Sequence, residues 1–461
     1  MLHTHIVEAL EGLAAERLGE QVERLAHHAW RGEVWTKAVV YCRQAGEKAL
    51  TRSAYREAVG YFEQALRALS HLPETCDTLA QAIDLRFHLR NALLPFGEYG
   101  QIFDHLRAAQ TLAEALHDPR RLGRACAYLT EYFRQTGALD RAVESGERAL
   151  ATAPGDFALQ VMATLLLGMA CHARGDYGRA VDCFRRNVVS LTGDLIRERF
   201  GMIGLPAVLS RTWLVSCLAE LGVFAEGVAR GDEAVRMTEG VDHPFSVIQA
   251  YFGLGELYLR KGDLPKAIPL LERGLELCHG ANILAWFPTV AAALGYVYTL
   301  AGRVDEALPL LQQAVGQDVS TGLSAGHARR VAYLSEAYML VGRTEEATDL
   351  AERALTHAGE LKARGFEAYA LRLFGEIRMS REPPKVEQAE ASYRQALALA
   401  EELGMRPLVA HCHLGLGRLY GQMGQGAQAR AALSAAIALY RTLDMTFWLP
   451  QAEVALAQVE G

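Results

Sequence analysis

Three short constellations in this chain have residue types that do chemistry, and none has the setting that chemistry needs. Gly322-Leu323-Ser324-Ala325-Gly326 has the Gly-x-Ser-x-Gly spacing of a hydrolase nucleophile. Such a serine works when a strand-to-helix turn thrusts its Oγ above a parallel sheet. Here helical patterning lies on both sides, so the motif reads as a loop between helices. His27-His28 and His411-x-His413 offer imidazoles. Neighbours on a helix point about 100° apart and residues two apart about 200° apart, so neither pair converges on one ion. The chain has no His-Glu-x-x-His and no Gly-x-x-x-x-Gly-Lys-Ser/Thr phosphate loop. The eight cysteines (Cys42, Cys76, Cys126, Cys171, Cys183, Cys217, Cys278, Cys412) never form a Cys-x-x-Cys pair. Most lie in apolar helical stretches, the setting of buried reduced thiols. The expectation is a chain without catalytic residues, metal site or cofactor.

The elements that carry these residues are declared by a repeat. Ala267, Ala307 and Ala347 follow one another at steps of 40 residues. Twelve residues before each stands Gly255, Gly295 or Ser335, preceded by Leu254, Leu294 or Leu334. Tyr258, Tyr298 and Tyr338 come three later, and Gly262, Gly302 and Gly342 four beyond those. The alanine position continues as Ala58, Ile102, Ala142, Ala180 and Gly227 on one side, and as Ala389 and Ala429 on the other. A fixed period of this length means stacked supersecondary units, each burying its apolar face only on its neighbours.

Each unit reads as two helices around a tight turn. Gly97, Gly137, Gly175, Gly222, Gly262, Gly302, Gly342 and Gly424 sit where a helix must end and the chain reverse. An acidic residue often follows (Asp140, Asp176, Asp263, Asp305, Glu345), where the next helix dipole favours it. Small first-helix residues (Gly168, Gly255, Gly295, Ser335, Gly417) allow a close helix crossing and are expected to face Ala149, Ala314, Ala354, Ala396 and Ala436. Leu270, Leu271, Leu275 and Leu277 form the stripe for the next unit.

Composition agrees with this reading. At 461 residues the chain exceeds one ordinary globular core, a limit that a stacked array escapes. Apolar residues make up 51%, and alanine, leucine, glutamate and arginine are plentiful, which favours helix. The net charge of −7 is spread without long runs of one sign, which argues against a nucleic-acid surface. No basic-then-apolar leader and no uncharged apolar segment of about 18 residues is apparent, so a cytoplasmic chain without a membrane span is expected.

Three departures divide the array. Residues 1–50 are patterned as helix but only blur the repeat, and read as an N-terminal lead-in or cap. Repeats then fill 51–190 and, with a C-terminal capping helix, 212–461. The step from Ala180 to Gly227 is 47 residues, which places an insert at 191–211 that reads as a joint or protruding loop. Arg381-Glu382-Pro383-Pro384 replaces a glycine turn by a stiffer loop. Trp213, Trp286, Phe287, Phe447 and Trp448 lack a basic groove and read as packing. Met445-Thr446-Phe447-Trp448-Leu449 is placed over the face of the last repeat.

These positions resemble the tetratricopeptide repeat, with its Leu-Gly-x-x-Tyr first helix and Ala-x-x-x-Phe-x-x-Ala second helix. Ala58-Val59-Gly60-Tyr61-Phe62-Glu63-Gln64-Ala65 fits the second half without a gap, and Ala180 with Phe184 fits it in part. The resemblance implies an all-α, α-α superhelix of about ten hairpins. The period near 40 exceeds the family standard of 34, so longer helices are implied. Glu20 to Ala29, Ala45-Gly46-Glu47-Lys48-Ala49 and Gly404 to Gly417 are similar to the C-terminal repeat region of bacterial signalling ATPases and class III adenylate/guanylate cyclase fusions. His3 to Glu11 resembles the seam after the ATPase module, which implies a fragment or a free-standing descendant.

In the family, first helices line the concave face. Polar residues beside the signature positions are therefore expected to point inward: Arg124, Glu131, Arg134, His172, Gln249, Glu256, Arg260, Arg329, Glu336, Arg372, Glu376, His411 and Arg418. Charges on such a wall can clamp an extended peptide, its backbone or a terminal carboxylate. The expected function is a non-catalytic protein- or peptide-binding scaffold or sensor arm, with an N-terminal ATPase or cyclase module as a further partner. The alternative is a small-molecule effector domain that passes a change of curvature to such a module, with 201–206 as hinge. Self-association is a third expectation.

Overall fold

A computed structural model of the chain describes residues 2–13, 18–240, 243–321 and 324–460. Among these residues every regular element is helical. The first helices are α1 (Leu2–Leu13), α2 (Val22–Arg31), α3 (Trp35–Thr51), α4 (Tyr55–Leu69), α5 (Cys76–Leu93) and α6 (Tyr99–Ala115). They continue as α7 (Pro119–Gln135), α8 (Leu139–Thr152), α9 (Phe157–Arg174), α10 (Tyr177–Ser190), α11 (Pro206–Leu221) and α12 (Phe224–Thr238). Then come α13 (Pro244–Lys261), α14 (Leu264–Gly280), α15 (Phe287–Leu300), α16 (Val304–Thr321), α17 (His327–Leu340) and α18 (Thr344–Glu360). The array ends with α19 (Arg364–Met379), α20 (Val386–Glu402), α21 (Arg406–Gln422), α22 (Gly426–Thr442) and α23 (Leu449–Glu460). Helices pack in chain order as hairpins, and first helices of successive hairpins also touch. This is the α-α superhelical solenoid that the repeat implies.

The repeat signature explains the hairpins. Gly262 adopts φ 86°, a left-handed value that side chains disfavour. That lets the N–H of Asp263 donate to the carbonyl of Tyr258 at 2.9 Å. Arg303 repeats the bond to Tyr298 at 2.8 Å, and Arg343 to Tyr338 at 2.9 Å. The signature tyrosine thus supplies a carbonyl in the last turn of each first helix, capped from beyond the glycine. Pro265, in the first turn of α14, has no orphan N–H to satisfy.

The small residues do their work differently from the expectation. A Cβ on Gly255 would lie 2.8 Å from Leu271, and on Gly295 the same from Leu311. On Gly168 it would meet Phe184 at 2.7 Å. The close neighbour is therefore the large residue four beyond the signature alanine, rather than Ala149, Ala314, Ala354, Ala396 or Ala436. Ser335 instead donates its hydroxyl to the Ala347 carbonyl at 2.6 Å.

The chain divides into two compact units: 1–132, 145–163 and 200–203 form the first, and 133–144, 164–199 and 204–461 the second. Two expectations need correction here. α3 and α4 form one hairpin, so the first repeat begins before residue 50. The insert does not protrude at its end: Met202, Ile203 and Leu205 are buried, and the Gly201 carbonyl accepts from Asn91 Nδ2 at 2.8 Å and from the Tyr128 hydroxyl. α9 is long and apolar enough to cross a membrane, yet 72% of it is buried within the protein. Seven cysteines are buried and free, and Cys76 is exposed and free.

The close crossings can be tested against an open helix site. Gly60→Ala, in α4 where a Cβ meets nothing within 4 Å, should raise stability by about 0.5–1 kcal/mol. Gly417→Ala would set a Cβ 2.5 Å from Leu433 Cγ and 3.2 Å from its backbone nitrogen, and should lower stability by about 1–3 kcal/mol. Urea unfolding of both variants checks this; shifts of the same sign would contradict the packing described.

Candidate functional site

The inner wall of the second unit is built by first helices that each contribute one column of side chains. Because the period is 40, the residue two before each turn glycine falls in the same slot. Glu220 and Arg260 occupy that slot in α11 and α13, and Arg260 Nε donates to Glu220 Oε1 at 3.2 Å. The slot after each small residue holds Glu256, Tyr296, Glu336 and Glu376. There the Tyr296 hydroxyl donates to both Glu336 oxygens at 3.1 and 3.2 Å.

Three arginines and four glutamates then interlock. Arg260 lies 3.8 Å from Glu256, which also takes Arg329. Arg372 pairs with Glu336 at 2.9 Å and with Glu376. The Tyr369 hydroxyl reaches across to Glu220 at 2.7 Å, and Tyr296 stacks on Tyr333 with centroids 4.0 Å apart. Glu220, Glu256 and Arg260 are only 3–6% exposed. Removing ionised groups from water this completely is costly, and only mutual pairing makes it tolerable.

Electrostatics follow from burial and charge count. Burial opposes the Arg260 cation, but Glu220 foremost outweighs it and holds the guanidinium well above its ordinary pKa. Arg372 behaves alike, with Glu376 and Glu336 overcoming burial. Burial pushes the Glu336 carboxyl up despite Arg372. His172, buried against Trp213 and Tyr177, is pushed down to about 4 by burial, and His411 is also lowered well below its ordinary value by burial.

Most of the expected wall residues meet here. Glu256, Arg260, Arg329, Glu336, Arg372 and Glu376 form the network. Arg134 lies over the Trp213 ring at 5.3 Å, and His411 Nδ1 lies 2.8 Å from the Tyr440 hydroxyl. Four expectations go elsewhere. Arg124 and Glu131 belong to the first unit, where Arg124 Nη2 donates to the Gly201 carbonyl at 3.2 Å. Gln249 turns back on its own helix, donating to the Phe245 carbonyl. Arg418 reaches Gln451 on α23. Trp448 packs on His411 and Tyr440 of the last repeat and also reaches the turn at Gly262. Glu220, Tyr296, Tyr333 and Tyr369 were not anticipated; Glu220 was findable as the residue one period before Arg260.

Between Arg260, Tyr296, Glu336, Tyr369, Arg372 and His411 remains a cavity of about 50 Å³. Among the described residues, Arg260 Nη2, Arg372 Nε, His172 Nε2, Trp213 Nε1 and the Tyr333 hydroxyl are buried without a hydrogen-bond partner. No group of three or more His, Cys, Asp or Glu side chains among the described residues could hold a metal ion. Gly322 and Leu323 of the Gly-x-Ser-x-Gly motif lie outside the described residues. Its Ser324 and Ala325 N–H groups donate to the Gln135 carbonyl at 3.0 and 3.1 Å.

Tetratricopeptide-repeat models match residues 250–283 and 290–322, and a second such model matches 161–186 and 410–435. The chain therefore carries tetratricopeptide repeats. No curated protein sequence matches it. Among solved structures it is similar to a Rap protein complexed with Competence and Sporulation Factor, at 13% identity and a TM-score of 0.59, over 79% of this chain and 98% of that one. It also matches a Signal Transduction ATPase with Numerous Domains bearing a tetratricopeptide-repeat sensor, from Pyrococcus horikoshii, at 13% identity and a TM-score of 0.42. That match covers 88% of this chain and 55% of the ATPase chain. Aspartyl phosphate phosphatase F from Bacillus subtilis matches at 14% identity and a TM-score of 0.45, over 83% and 94%.

The lowered histidine sets a pH dependence. Between pH 6.5 and about 4 the unfolded chain binds a proton at His172 that the folded chain refuses, so stability falls as pH falls through that window. A shift of this size corresponds to about 3 kcal/mol from His172. Thermal unfolding from pH 7 to 4 should show the loss, and His172→Asn should flatten it. A variant profile parallel to the wild type would contradict the burial argument.

Proposed function

We propose that this chain is a non-catalytic ligand-binding arm that holds a protein or peptide segment against the inner wall of its second unit. In this reading it serves as a scaffold or sensor for a bacterial signalling ATPase or cyclase module in the cytoplasm. One observation carries the reading: the wall has donors left over but no net charge. Arg260, Arg329 and Arg372 pair with Glu220, Glu256, Glu336 and Glu376, Arg134 over Trp213 brings the cations to four, and burial holds both nearby histidines neutral. Arg260 Nη2, Arg372 Nε, Trp213 Nε1 and the Tyr333 hydroxyl are left able to donate hydrogen bonds. Such a wall suits uncharged acceptors, and peptide main-chain carbonyls are a dense source of them. A free carboxylate or phosphate would add charge that no remaining cation balances.

The Rap protein, which shares the fold, is seen complexed with Competence and Sporulation Factor, and a ligand in a fold of this kind supports the reading. The cavity of about 50 Å³ in the wall is smaller than a metabolite or a peptide segment, so it favours neither ligand by size. Entry of a segment requires neighbouring first helices to part.

A thermal-shift screen decides between ligands. A pool of uncharged capped peptides should stabilise the chain, by about 2.7 kcal/mol for a member at a hundredfold excess over its Kd. Tyr333→Phe removes an unpartnered hydroxyl, so it should leave the free protein as stable as before and weaken the peptide. Stabilisation by metabolites alone, or turnover abolished by one substitution, would overturn the proposal.

A further inference from the structure

Hairpin turns lie along one edge of the second unit, and the loops that join successive hairpins lie along the other. The array winds far enough that early turns are covered by loops from repeats much later in the chain. Leu361 fills the space at Gly137, and Lys362 pairs with Asp140. Leu221, just before the turn glycine Gly222, packs on Gly404, while Leu443 and Pro407 close on Gly222 itself. At Gly262 the contact is made by Phe447 and Trp448, with Lys261 bonded to Asp444 at 2.6 Å.

At the next two turns this cover stops. A Cβ on Gly302 or Gly342 would meet nothing within 4 Å. Val341 directly precedes its turn glycine, as Leu221 does, yet it is 44% exposed, and Leu340 beside it is 55% exposed. The edge therefore continues an interface already used inside the chain, with apolar side chains and no loop upon it.

A loop of the right kind exists: its Trp286 packs on Phe245 and Phe252, while Asn282 and Leu284 stay exposed. The loop that covers Gly262 reads Asp444-Met445-Thr446-Phe447-Trp448-Leu449-Pro450. The loop between α14 and α15 reads Asn282-Ile283-Leu284-Ala285-Trp286-Phe287-Pro288. Asn282 and Asp444 share a left-handed backbone, at φ 52° and 54°. Ile283 and Met445 next to them are both fully buried, and both loops place tryptophan four residues after the left-handed position. In the 282–288 loop, Leu284 is 40% exposed. Charge matches as well. Where the turn offers Lys261 the loop offers Asp444; where the turn offers Ala301 or Val341, the 282–288 loop offers the uncharged Asn282.

We infer that the Gly302–Gly342 turn edge binds the 282–288 loop of a second copy of this chain, as the Gly262 turn binds the 444–450 loop. The two surfaces differ, so the contact is head-to-tail and can close a ring or extend a stack. It goes beyond the ligand reading and stands without it.

Sedimentation velocity across protein concentration tests it with Val341→Lys and Leu284→Lys, both at exposed positions. The wild type should self-associate, and each variant alone should bind itself roughly tenfold or more weakly. An equimolar mixture should form dimers and nothing larger, because each variant keeps one intact surface. A wild type that stays monomeric, association unchanged by either variant, or a mixture that fails to restore dimers would each overturn the inference.

Discussion

A helical hairpin of this chain can bury its apolar stripe only on the hairpins beside it, and that constraint governs the rest of the structure. Stacking at a fixed step puts every residue of one register slot into a column. Apolar slots become a continuous core: Leu271 against Gly255 and Leu311 against Gly295 are one contact written twice. Polar slots become the inner wall. Glu220 meets Arg260, and Tyr296 meets Glu336, across a separation of 40 residues in each case. The interlocked wall is a consequence of periodicity acting on charged residues, and its neutrality is what makes its burial tolerable.

The hairpins were legible because the signature residues have local physical jobs. A glycine at a left-handed turn, a tyrosine whose carbonyl ends a helix and a small residue at a close crossing all act within about 25 residues. The wall was legible in part for the same reason: Glu256, Arg260, Glu336, Arg372 and Glu376 flank the signature. What stayed hidden depends on winding. Tyr369 reaches Glu220 across 149 residues, and no local pattern fixes how far each hairpin rotates on the last. Arg124 was drawn to the insert carbonyl at Gly201, a contact that breaks the repeat. Trp448 packs on the last repeat but also contacts a turn more than four repeats earlier, which no local pattern fixes.

The proposed function rests on the same arrangement. The wall has satisfied its charges internally and keeps a surplus of neutral-acceptor sites, while the turn edge keeps an apolar strip in register with contacts already made. A single repeat geometry thus presents two surfaces of different chemistry, one polar and enclosed, the other apolar and open.

The wall depends on Glu220 and Arg260 being held as partners by the register. A double-mutant cycle with Glu220→Ala, Arg260→Ala and the double variant measures that dependence by urea unfolding. The expected coupling is about 2 kcal/mol or more, with the double variant more stable than the sum of the single losses implies. A coupling below about 0.5 kcal/mol would mean that the two side chains do not meet in the folded protein.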